Sequence, residues 1–108
     1  MIFTTTEAEQ YVRMTLKQWG LSDVSFEWWE SEKNRGWAWA EESHIALATN
    51  ILSSFACFRE TLLHEMAHIL DHRERGTYVV NVREMAHGKN FRKWCKVLGI
   101  PARLKIPL

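Results

Sequence analysis

His64-Glu65-Met66-Ala67-His68 places two imidazoles and a carboxylate within five residues, in an H-E-x-x-H spacing. On a helix with 3.6 residues per turn, His64 and His68 project from the same face about one turn apart. Two neutral imidazoles so placed can share one Zn²⁺, and a catalytic zinc keeps a coordination position open for water. Glu65, next to the first imidazole, can accept a proton from that water. The spacing therefore supplies two metal ligands and a general base, the equipment of metal-assisted hydrolysis.

A third ligand has to come from elsewhere in the chain, and His72, Glu74, Glu84 and His87 are the candidates. His72 lies about 12 Å along the helix axis from His64 at 1.5 Å per residue, too far for bonds near 2.1 Å to one ion. Glu74 takes the last position of an H-E-x-x-H-x-x-G-x-x-H pattern, but Asp71 stands where that pattern requires glycine, so the helix is expected to run past it. Glu84 fits a site in which a second helix supplies a glutamate. His87 is preferred: it is followed by Gly88 and the start of a new helix, and 87 − 68 = 19 residues of chain are ample for a return to the metal.

His64-Glu65-x-x-His68 followed by His87-Gly88-x-x-Phe91, with Trp94 three residues further on, resembles the SprT/Spartan-like metalloprotease domain over about residues 45 to 98. The resemblance implies zinc on His64, His68 and His87, catalysis by Glu65, and an activity on proteins that are bound or crosslinked to DNA. The linker Arg73 to Ala86 is one departure from better-known members, and no cysteine-rich zinc ribbon follows the motifs.

The elements that must position these residues can be read from periodicity. Apolar positions from Phe55 to Leu70 are numerous enough to bury most of a helix over about 54 to 75, with Ser53 or Ser54 as N-cap. A first helix is expected over 7 to 19, opened by a Thr6/Glu9 capping box and ended by Gly20. Val24 to Trp28 and Trp37 to Ala40 alternate as strands around turn residues 31 to 36, and together read as an antiparallel hairpin. His44 to Ala48 reads as a third, short strand at a sheet edge, open to an extended peptide. Trp28, Trp37 and Trp39 read as cross-strand aromatic pairs in the core rather than as a platform for bases. His44 and Tyr78 are speculative oxyanion stabilisers, and His44 reads first as a surface histidine at a strand start. A last helix starts after Gly88 and ends at Gly99-Ile100-Pro101. The expected class is α+β in the order helix, three-stranded mainly antiparallel sheet, metal helix, linker, C-terminal helix, a minimal zincin-like single domain over 1–108.

With 108 residues, 46% hydrophobic and 25% charged, the composition is that of an ordinary globular domain rather than a disordered chain. Residues 1–3 lead into Thr-Thr-Thr-Glu without the marks of a signal peptide, and no stretch has the length of a membrane span. Cys57 and Cys95 stand far apart and outside any C-x-x-C pair, which points to reduced, buried thiols in a cytoplasmic protein expected to be monomeric. Residues 1–72 hold 5 basic and 11 acidic side chains (−6), and residues 73–108 hold 9 and 2 (+7), summing to the net +1. Lys89, Arg92, Lys93 and Lys96 on one side of the last helix are the candidate contact to DNA, with affinity that falls with salt. The expected activity is zinc-dependent peptide hydrolysis. The alternative is a non-catalytic, zinc-stabilised module that binds DNA or protein, and a peptidase for one specific regulator is a further option.

Overall fold

The computed structural model describes residues 4–75 and 88–102. The first helix, α1, spans Thr5–Gln18. Its capping box uses Thr4 and Glu7, two residues earlier than the Thr6/Glu9 pair that matches the same pattern: the Thr4 hydroxyl accepts from Glu7 N–H at 3.1 Å, and Glu7 returns to the Thr4 N–H at 3.3 Å. The helix ends as foreseen at Gly20, whose φ of +72° lets Leu21 N–H reach back to Leu16 O at 2.8 Å and Gly20 N–H to Lys17 O at 3.1 Å. Leu16 and Leu21 are both buried in the core, which joins cap to packing.

Three strands follow: β1 (Ser25–Trp29), β2 (Gly36–Trp39) and β3 (His44–Ala48). Their order in the sheet is β1-β3-β2, with β1 parallel and β2 antiparallel to β3. The α+β class and the element order hold, and the sheet is mixed. The expected β1–β2 hairpin is not formed, and β3 is the central strand rather than an edge. The physical reason lies in β3 itself, where Ile45-Ala46-Leu47-Ala48 is fully buried and apolar on both faces, as a central strand requires. β1 and β2 each carry a half-exposed face and suit the edges. The loop between them is held instead by Asn50, whose Nδ2 donates to Ser31 O at 2.7 Å and Asn34 O at 3.2 Å.

The long helix α2 spans Phe55–Arg75 and α3 spans Lys89–Leu98. Ser54 caps α2 by accepting from Cys57 N–H at 3.2 Å. Residues 61–67 are buried without interruption, so this part of α2 is enclosed on every side. One face of the sheet, with Phe26, Trp28, Ile45 and Leu47, turns towards α2; Trp28 lies over Phe58 with ring centroids 6.4 Å apart. α1 closes on the start of α2 through Tyr11, 5.3 Å from Phe55 and 5.5 Å from Phe58. Near its other end α2 is tied to the segments that lead into β1 and β3 by Arg73, which donates to Asp23 at 2.6 Å and to Ser43 Oγ at 3.0 Å. The Arg73 hydrogen bond holds the Asp23 carboxyl below the usual carboxylate range. Among the described residues, no helix is long and apolar enough to cross a membrane.

Candidate metal centre

The buried middle of α2 is where the chemistry-bearing residues fall. His64 and His68 follow one another on the same helix face with ring centroids 5.0 Å apart and planes at 78°. The ligating atoms of His64, Glu65 and His68 all lie within 4.8 Å of one another, the one such group among the described residues. Two nitrogens bound to one tetrahedral zinc stand roughly 3.4 Å apart, given bonds near 2.1 Å. With these atoms within 4.8 Å of one another, the two imidazoles are close enough to share a divalent metal, with the Glu65 carboxylate beside it.

The surroundings hold the rings. Phe91, in the first half of α3, stacks on His68 (4.4 Å between centroids, 24°) and meets His64 edge-on (5.1 Å, 72°). Both imidazoles are thus backed by one buried aromatic side chain, which limits their rotation. One turn beyond His68, the buried Asp71 accepts from Asn90 Nδ2 at 2.8 Å, so α3 is pinned to α2 beside the site. Gly88 is the N-cap residue of α3.

Glu65 is 6% exposed, and burial raises its pKa from 4.5 to about 8. A cation on the adjacent imidazoles opposes that shift and favours the carboxylate. Strand β2 approaches this side chain closely at Gly36. A Cβ there would stand 3.0 Å from Glu65 Oε2, 3.0 Å from Thr61 Cγ2 and 3.1 Å from Leu47 Cδ2. Glycine at this position therefore keeps the space that the carboxylate occupies.

His64, Glu65 and His68 are brought together as the spacing implies. His87, the preferred third ligand, and the alternatives Glu84 and Tyr78 lie outside the described residues. Glu74 forms an ion pair with Lys93 instead of joining the metal group, and the helix continues through Asp71 to Arg75. His44 sits on the sheet face turned away from α2, with Nδ1 2.6 Å from Ser25 Oγ and Nε2 3.3 Å from Glu27 Oε2, the placement of the surface histidine at a strand start rather than of an oxyanion stabiliser. Two contributors were not foreseen: Gly36, signalled only by a glycine inside the alternating Gly-Trp-Ala-Trp strand, and the Asp71–Asn90 bond, which has no local signal because it joins residues 19 apart.

No curated protein and no solved structure matched the chain. A sequence profile of the SprT-like family matches residues 5–106, nearly the whole length and a range that includes His64, Glu65, His68 and Phe91. The chain belongs to the SprT-like family.

Proposed function

We propose that this protein is a zinc-dependent endopeptidase in which His64, His68 and His87 hold the metal and Glu65 is the catalytic base. The observation that carries the reading is the buried Glu65 carboxylate within 4.8 Å of both imidazoles, since a purely structural zinc site requires no base. A zinc ion bound there supplies Lewis acidity, polarising a peptide carbonyl and making water a stronger acid. Glu65 takes the proton from the attacking water and delivers it to the leaving amine. His87 as third ligand is supported by its covalent neighbour Gly88, which opens the helix whose Phe91 lies against His68.

The substrate is placed by an edge of the sheet. Since β3 is central, the sheet edge beside Glu65 belongs to β2, which has no strand partner on its outer side among the described residues. Arg35 O accepts from Ala48 N–H at 2.8 Å, so by antiparallel alternation the main-chain groups of Gly36 and Ala38 point away from β3. An extended segment that adds to β2 there passes next to Glu65. Lys89, Arg92 and Lys96, exposed on α3, are the proposed contact to DNA; Lys93, also exposed, shares its charge with Glu74.

The test is cleavage of a basic protein crosslinked to single-stranded DNA by zinc-loaded protein, beside the Glu65→Gln variant and a DNA-free control. Cleavage that requires Glu65 supports the peptidase, and a further requirement for DNA supports the basic surface as its docking site. An intact substrate in the presence of zinc-holding protein would overturn the proposal in favour of a non-catalytic binding module. Zinc content of His87→Ala and Glu84→Ala decides the third ligand, since only the true ligand's loss weakens binding.

A further inference from the structure

We propose that the sheet face turned away from α2 is a second binding surface, one that takes cationic side chains of a lysine- or arginine-rich protein segment. By register, Glu27 and Trp29 of β1, Trp37 and Trp39 of β2 and His44, Ala46 and Ala48 of β3 share this face. The small, fully buried Ala46 and Ala48 make room for indoles from both edges. Trp29 stands 4.8 Å from Trp37 and 5.3 Å from Trp39, and Trp39 lies 5.3 Å from His44. These rings cover the central strand and still reach solvent, Trp29 with 41% of its surface.

A carboxylate is fixed among them. Glu27 accepts from Trp29 Nε1 and lies 3.3 Å from His44 Nε2, and its side chain remains 43% exposed. Clustered indoles with a fixed anion suit an ammonium or guanidinium group, which gains both the ring faces and the charge. An apolar partner would strip water from the Glu27 carboxylate and offer nothing in return. The wider charge agrees: residues 25–48 hold Glu27, Glu30, Glu32, Glu41 and Glu42 against Lys33 and Arg35. A negative balance disfavours a phosphate backbone as the occupant of this face. The surface lies on the opposite side of the sheet from Glu65, and its binding does not depend on proteolysis.

The experiment titrates the full chain carrying Glu65→Gln with a short lysine–arginine peptide and with its glutamine-substituted counterpart, following tryptophan fluorescence. A saturable change with the basic peptide alone, weakened by salt, is expected. Trp29→Leu should weaken it on the order of tenfold. Glu27→Gln, at the half-exposed carboxylate among the indoles, should weaken it several-fold and keeps the test valid if Trp29→Leu unfolds. An equal response to the neutral peptide, or unchanged affinity in both variants, would overturn the proposal. Sedimentation of the free chain as dimers that the peptide does not dissociate would also overturn it, by assigning the face to a second copy.

Discussion

At the scale of single residues, the proposed catalysis requires clearance around Glu65 as well as the carboxylate itself. Gly36→Ala puts a methyl group 3.0 Å from Glu65 Oε2 and Thr61 Cγ2, so the carboxylate has to move. Turnover should fall about tenfold or more while zinc content stays unchanged, because a small misplacement of a reacting group costs rate before it costs ligation. Steady-state kinetics with metal analysis of the same sample checks this; an unchanged rate would remove Gly36 from the account. Cys95 gives a second residue-scale expectation. Burial, with the negative charge of Glu60 adding to it, raises its thiol from 9.0 to about 11. At pH 8 the folded protein should hold Cys95 as an unreactive thiol, and alkylation followed by mass spectrometry should modify it far more slowly than in the unfolded chain.

At the scale of elements, two overlapping matches to one pattern make a clean comparison. Thr4-x-x-Glu7 and Thr6-Glu7-Ala8-Glu9 both satisfy the capping box, and the structure uses the first. Thr4→Ala should cost about 1 kcal/mol in urea unfolding, and Thr6→Ala only a few tenths. Equal losses would place the helix start wrongly. The contact of α3 with α2 carries more weight: Phe91→Ala removes a 1%-exposed ring from both imidazoles and should cost about 3–5 kcal/mol. Helices were legible in the sequence because caps and apolar periodicity are local. Strand pairing was not, because the polar turn residues 31–36 suggest a hairpin that the doubly apolar β3 displaces by lying between its two neighbours in sequence. The same run, Ile45-Ala46-Leu47-Ala48, was the available signal for a central strand.

At the scale of the whole molecule, the Glu27 carboxylate lies on the sheet face turned away from α2, whereas Lys89, Arg92 and Lys96 are exposed on α3. The metal group was legible because its three members lie within one turn of α2 and share its spacing rule. Its walls, Gly36 from β2 and Phe91 from α3, join it only through tertiary packing, although Phe91 was marked in advance by the H-G-x-x-F motif. The central claim is that Glu65 acts as base beside a metal held by histidines. The most direct measurement is zinc content and protein hydrolysis on one preparation of the wild-type chain and one of Glu65→Gln. The account predicts one zinc per chain in both and hydrolysis at least about a hundredfold slower in the variant. Hydrolysis by Glu65→Gln at the wild-type rate, with zinc retained, would contradict it.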